Sequence, residues 1–69
     1  MGLSDHSTKR KDVERRLRDD GWIIDRQGPG DHVQYRHPHK RGRVTIDTGV
    51  REIPRGTLRS IYRQAGWDW

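Results

Sequence analysis

The chain has 69 residues, which is enough for one small domain, and only 28% of them are hydrophobic. Lys and Arg number 15 against 10 Asp and Glu, giving a net charge of +5, so a polyanion such as nucleic acid is the expected partner. The chain contains no cysteine, which excludes disulfides and thiolate metal sites.

A single domain over 1–69 is predicted to start with a helix. Residues 1–6 carry no pattern and are expected to form a flexible terminus. The helix is predicted over 9–20, with Ser7 or Thr8 as its N-cap. The glycine that follows it, Gly21, suits the left-handed position beyond a helix end.

Three strands are predicted next, over 22–26, 31–37 and 43–47. The Gly-Pro-Gly turn at 28–30 joins the first two strands as an antiparallel hairpin. Pro38 ends the second strand, because proline cannot donate to a sheet ladder.

The last element is a helix that starts at Thr57 or just before it and ends at Gly66. Its apolar face has the spacing i, i+3, i+4 and i+7 and consists of Leu58, Ile61, Tyr62 and Ala65. A second face carries a cationic stripe, which is either an ordinary exposed surface or a site for phosphate or an acidic partner: Arg55, Arg59 and Arg63.

The element order is therefore α-β-β-β-α, which predicts an α+β fold resembling a double-stranded-RNA-binding domain. A three-stranded antiparallel sheet would carry two helices on one face and leave the other face open. The predicted core consists of apolar residues from all the elements but the first strand: Val13, Leu17, Val33, Tyr35, Val44, Ile46, Leu58 and Ile61.

His32 is the candidate for chemistry. Strand alternation predicts Val33 and Tyr35 on the core face, and His32, Gln34 and Arg36 on the open face. An imidazole titrates near neutrality, so it could take a proton from a ribose 2′-hydroxyl and return one to a leaving oxygen. The alternative, an ordinary surface histidine on a polar strand face, remains open at this point.

Candidate RNA-binding residues lie on the hairpin formed by the second and third predicted strands and in the turn before it. Lys40, Arg41 and Arg43 could hold a phosphate through charge-assisted bonds, and the backbone at Gly30 could approach a ligand closely.

Other histidines and tryptophans allow two interpretations. A metal site built from His32, His37 and His39 would require a strand and a turn to converge, so we expect no metal and no cofactor. Trp22 and Trp67 could stack on RNA bases, but in a chain with so few apolar residues they are more often core or lid.

Several motifs are similar to those of one protein family. The block Gly-Thr-Leu-Arg-Ser-Ile-Tyr-Arg-Gln-Ala-Gly at 56–66, Gly-Trp at 21–22 and Gly-x-His at 30–32 resemble the HicA (YcfA-like) family of mRNA interferase toxins. The resemblance covers 9–67. It implies a double-stranded-RNA-binding-domain-like fold, ribonuclease activity on mRNA, a HicB-type antitoxin, and His32 as the catalytic histidine.

The chain departs from the family pattern at two places. Asp31 stands where serine is usual, and its charge could orient His32 or repel phosphate. Asp47-Thr48-Gly49 stand where Pro-x-His often follows the third strand.

These observations favour the toxin of a type II toxin–antitoxin system, a metal-independent mRNA endoribonuclease neutralised by its antitoxin. The alternatives are a non-catalytic RNA-binding module on the same fold and a protein that mainly binds a partner. No segment is apolar enough to enter a membrane and no secretion signal is visible, so we expect a cytoplasmic protein.

Overall fold

The computed structural model of the protein describes residues 6–28 and 30–69. Its elements are α1 (Arg10–Asp19), β1 (Ile23–Gln27), β2 (His32–Arg36), β3 (Val44–Asp47) and α2 (Arg55–Ala65). The predicted α-β-β-β-α order is confirmed. Residues 1–5 of the predicted flexible terminus and Pro29 of the predicted turn lie outside the described residues.

The three strands form one antiparallel sheet in the order β1-β2-β3. In the β2–β3 ladder, His32 pairs with Asp47 and Tyr35 pairs with Val44. The β1–β2 register shifts between Ile24 and Arg26. Such a bulge adds a residue to one strand and interrupts the regular edge of the sheet.

Both helices cover the same face of the sheet. Val33 and Tyr35 are buried while their neighbours in β2 are not, which confirms the predicted alternation. All the predicted core residues are buried in one cluster, which also includes Trp22, Ile53, Tyr62 and Ala65. The result is the predicted α+β fold like that of a double-stranded-RNA-binding domain, with one face of the sheet left open.

The predicted cap of α1 is wrong. The N-cap position is Lys9, whose side chain makes no capping hydrogen bond. The Ser7 hydroxyl instead donates to the Asp12 carboxylate at 2.6 Å. The Thr8 carbonyl accepts from the Ile53 amide at 2.8 Å. The backbone at Thr8 therefore lies alongside the segment that precedes α2, and α1 starts only after this contact.

Glycine ends both helices. Gly21 follows α1 with φ +98° and Gly66 follows α2 with φ +78°, a region that favours glycine because it has no Cβ. At its other end α2 begins at Arg55, two residues before Thr57, because Pro54 with φ −57° already accepts the first intrahelical bond from Leu58.

Candidate active site

His32 lies at the start of β2, and its side chain is exposed on the open face of the sheet. The Gly28 amide donates to the His32 carbonyl at 2.9 Å. The backbone N–H and C=O groups of one strand residue point to the same neighbouring strand. The backbone groups of His32 therefore point toward β1 and not toward β3. As a result, His32 and Asp47 of β3 form a non-hydrogen-bonded pair.

This pairing brings a carboxylate next to the imidazole. In a non-hydrogen-bonded antiparallel pair the two Cα atoms are about 4.5 Å apart and the side chains are close neighbours on one face. Thr48 confirms the register, because its amide and its hydroxyl both donate to the Asp31 carbonyl, at 2.6 and 2.9 Å. Sequence reasoning missed Asp47, since its position opposite His32 depends on the strand register.

A second carboxylate, that of Asp31, lies against the loop that follows β3, at Gly49. The Gly49 amide donates to Asp47 Oδ1 at 2.9 Å. A Cβ atom on Gly49 would lie 2.7 Å from Asp31 Oδ2 and 3.2 Å from Asp47 Oδ1, so only glycine fits here without a shift of these side chains. The surroundings of His32 are therefore acidic on the β3 side.

The predicted RNA-binding residues occupy both ends of β2. Gly30, with φ +73°, lies in the turn just before His32. Lys40 and Arg41 lie in the turn beyond the opposite end of β2, and a five-residue strand spans about 13 Å. The structure thus brings Gly30, but not Lys40 and Arg41, to the His32 end of the sheet.

Ion pairs engage two of these basic residues. Lys40 Nζ lies 2.7 Å from Asp20 Oδ2 and donates to the Ala65 carbonyl at 3.0 Å, so it caps the end of α2. Arg43 Nε lies 2.9 Å from Asp25, which also pairs with Arg36 Nε at 3.3 Å. These pairs are partly exposed, and a phosphate could compete for the arginines.

His37 and the tryptophans pack against other parts of the fold, whereas His39 is exposed. His37 Nε2 lies 2.7 Å from the Asp20 carbonyl, and its ring meets that of Trp22 edge-on at 5.2 Å. Trp22, predicted in the first strand, lies before it and is 1% exposed, which settles its role as core. Among the residues that the structure describes, no three potential ligands are grouped so that they could hold a metal.

Trp67 is half-buried over α2. It meets the Tyr62 ring edge-on, and the Arg16 guanidinium lies 4.2 Å from its ring centre. Within the predicted arginine stripe, Arg55 and Arg59 similarly lie over the Trp69 ring at 5.3 and 5.6 Å. The Trp69 ring also stacks on His6, which was predicted to be part of the flexible terminus. Sequence spacing alone does not predict this aromatic and cationic packing.

Asp20 connects several distant segments. Its Oδ2 accepts from Trp22 Nε1 at 3.0 Å, from Trp67 Nε1 at 3.1 Å and from Lys40 Nζ at 2.7 Å. The bonds from Lys40 and the two indoles lower the pKa of Asp20 from 3.8 to about 2. We call this group, Asp20 with Trp22, Lys40 and Trp67, the Asp20 cluster. No local sequence signal indicated it.

Comparison with known proteins identifies the family. A search of curated proteins finds no significant match. None of the described helices is both long and apolar enough to cross a bilayer. The family model for the HicA toxin of bacterial toxin–antitoxin systems matches residues 10–67, which include both helices, the whole sheet and His32. The chain therefore belongs to the HicA toxin family.

Proposed function

We propose that this protein is a cytoplasmic endoribonuclease toxin that cuts mRNA, with His32 as its general acid–base, and that a HicB-type antitoxin neutralises it. The main support is an exposed histidine on the open face of the sheet in a chain of the HicA toxin family. The net charge of +5 favours a polyanionic substrate.

The chemistry requires one proton acceptor and the substrate's own nucleophile. The imidazole of His32 takes the proton of a 2′-hydroxyl, and O2′ attacks the adjacent phosphorus while the bond from phosphorus to O5′ breaks. The leaving O5′ receives a proton from the imidazolium or from water. The products are a 2′,3′-cyclic phosphate and a 5′-hydroxyl, so DNA, which lacks the 2′-hydroxyl, would not be cut.

Basic groups along the open face would position the RNA. A strand that passes His32 and continues along β2 reaches Arg43, and then Arg41 and Lys40 in the turn beyond it. The backbone at Gly30 could contact the RNA beside the imidazole. Phosphate contacts of this kind fix position and carry no base preference.

We propose that cleavage is independent of metal ions. The chain has no cysteine, and its histidines and carboxylates do not show the spacing of a ligand set. Purified toxin should therefore cut RNA in EDTA at its full rate. Loss of cleavage in EDTA and its return with a divalent ion would contradict this part of the proposal.

The decisive experiment replaces His32 with alanine. Growth inhibition and RNA cleavage should be lost, while the melting temperature stays near that of the wild type because the side chain is exposed. His39→Ala is a matched control, since this exposed histidine lies beyond the other end of β2. A His32→Ala variant that still cuts RNA would refute the assignment, and a wild type that binds RNA without cutting it would favour the RNA-binding module.

A further inference from the structure

A cleft of about 660 Å³ is lined by the first turn of α1 and by the segment between β3 and α2. Basic side chains outnumber carboxylates in its lining, which consists of Lys9, Arg10, Lys11, Thr48, Gly49, Val50, Arg51 and Glu52. We call this feature the α1 cleft. Neither the predicted RNA-binding residues nor His32 belong to it.

Hydrogen bonds hold the two walls of the α1 cleft in place. The Arg10 amide donates to the Arg51 carbonyl at 3.0 Å, and Arg10 Nε donates to the Val50 carbonyl at 2.9 Å. Lys9 and Glu52 form an isolated antiparallel bridge at its base. The cleft is therefore formed by ordered backbone.

Within the part of the chain that the structure describes, most of the positive charge of the α1 cleft has no carboxylate partner. Arg10 pairs with Glu14 at 3.3 Å, and the Glu52 carboxylate accepts from the Thr8 hydroxyl. Lys9, Lys11 and Arg51 are exposed, and none of the described carboxylates pairs with them. By contrast, Lys40 and Arg43 on the β2–β3 hairpin are both in ion pairs.

The α1 cleft includes the loop residues Thr48 and Gly49, against which the acidic neighbours of His32 lie. Thr48 lines the cleft and also bonds to the carbonyl of Asp31, the residue before His32. The carboxylates of Asp31 and Asp47 lie against Gly49 on the boundary between the cleft and His32. A polyanion at His32 is repelled by these two groups, so cations just beyond them would offset the repulsion.

We propose that the α1 cleft binds the phosphate backbone of the RNA strand on one side of the bond that His32 cuts. This inference rests on the proposed function, because it assigns a second contact region to the same substrate. Lys9 and Lys11 contact phosphates as point charges, and the Arg51 guanidinium donates paired hydrogen bonds to a phosphate. They add affinity without base preference.

The lining of the α1 cleft favours nucleic acid over a protein segment. Among the described residues that line it, Val50 is the one aliphatic side chain, whereas the centre of a protein–protein interface is depleted of charge and rich in apolar and aromatic groups. A polyanionic backbone needs only cations and an open path. Binding of an acidic peptide in its place is an outcome that the experiment below distinguishes.

The test compares two double variants that lose the same charge. Lys11→Gln/Arg51→Gln removes two cations of the α1 cleft, and Arg15→Gln/Arg18→Gln removes two exposed cations outside it. Binding is measured by fluorescence anisotropy on a short single-stranded 2′-O-methyl RNA over a range of salt concentrations. This probe has no free 2′-hydroxyl, so the result does not depend on cleavage.

The logarithm of the affinity falls as the logarithm of the salt concentration rises. Each lost phosphate contact should make this negative slope less steep by about 0.7. The slope of the cleft variant should thus be less steep by about 1.4, and this variant should bind about 25-fold more weakly at about 0.1 M salt. The control variant should keep a slope and an affinity near those of the wild type. In wild-type protein, the amide NMR signals of Gly49 and Arg51 should shift when this RNA is added.

Equal slopes for the two double variants would overturn the inference. So would a short poly-glutamate peptide that loses as much affinity as the RNA in the cleft variant, because the cleft would then attract any polyanion. Failure of the proposed function is a separate result. Wild-type protein that leaves unmodified RNA intact would refute cleavage, whereas the binding slopes would still report on the α1 cleft.

Discussion

Replacing Asp20 with asparagine tests whether the Asp20 cluster stabilises the fold. The substitution keeps the size of the side chain and one acceptor oxygen, but it removes the charge that Lys40 and the two indoles share. Asparagine can place its Oδ1 where Asp20 Oδ2 lies, so the three donors keep a neutral acceptor and lose only the carboxylate charge. The cluster joins the end of α1, the β2–β3 turn and the segment after α2, so its loss affects all three.

The magnitude follows from the lowered pKa. A fall from 3.8 to about 2 in the folded state corresponds to at most about 2.4 kcal/mol of stability at neutral pH. The Asp20 side chain is 33% exposed, so solvent screening reduces this to about 1 kcal/mol. The hydrogen bonds from the two indoles are already among the causes of the lowered pKa, so the expected loss stays at about 1 kcal/mol.

Thermal unfolding followed by circular dichroism would measure this loss. A domain of this size loses about 4–8 °C of melting temperature per kcal/mol, so we expect a fall of roughly 4–8 °C. Asp19→Asn is the matched control, since it removes the same charge one residue earlier. Asp19 is exposed and makes none of the side-chain hydrogen bonds or ion pairs found among the described residues.

The pH dependence provides a second measurement. Because the folded pKa of Asp20 is below its unfolded value of 3.8, the contribution of Asp20 is complete above that pH. It is lost as the pH falls toward about 2. The wild type should therefore lose more stability than Asp20→Asn over this range. Equal melting temperatures for Asp20→Asn and Asp19→Asn at neutral pH, or parallel acid profiles, would refute the argument.

Three further predictions concern the core, the glycines and the partner. Leu17→Ala should cost about 2–5 kcal/mol in urea unfolding because Leu17 is fully buried, whereas Ile24→Ala, at a half-exposed site, should cost far less; similar losses would contradict the described core. Gly56→Ala in the open first turn of α2 should raise the melting temperature, and Gly66→Ala, where φ is +78°, should lower it; the same sign for both would be inconsistent with this backbone. The HicB-type antitoxin, if it covers His32 with acidic groups, should raise the melting temperature by mass action and stop RNA cleavage; a complex that cuts at full rate would exclude this mode of neutralisation.

Local patterns predicted the elements and their faces. The alternation around Val33 and Tyr35 placed His32 on the open face, and the spacing of Leu58, Ile61, Tyr62 and Ala65 defined the buried face of α2. These predictions succeeded because a side-chain period depends only on nearby residues. The family resemblance is confirmed by the matching family model, while the catalytic role of His32 stays a prediction.

The features that sequence reasoning missed depend on distant contacts. Asp47 is opposite His32 only because of the β2–β3 register, and Asp20 acquires Lys40 and Trp67 only after the whole chain has folded. The α1 cleft likewise joins residues 9–11 to residues 48–52, which are far apart in the sequence. No periodicity or capping motif encodes such pairings.

The pairing of Thr8 with Ile53 and of Lys9 with Glu52 has a consequence for the order of folding. The β hairpins close short loops, but this contact closes most of the chain and so carries a larger entropic cost. We expect it to form after the sheet, and to open more often in the native state. Hydrogen exchange of the Ile53 amide should therefore be faster than that of Val33 in the central strand. A partly folded molecule could then display His32 on its sheet while lacking one wall of the α1 cleft.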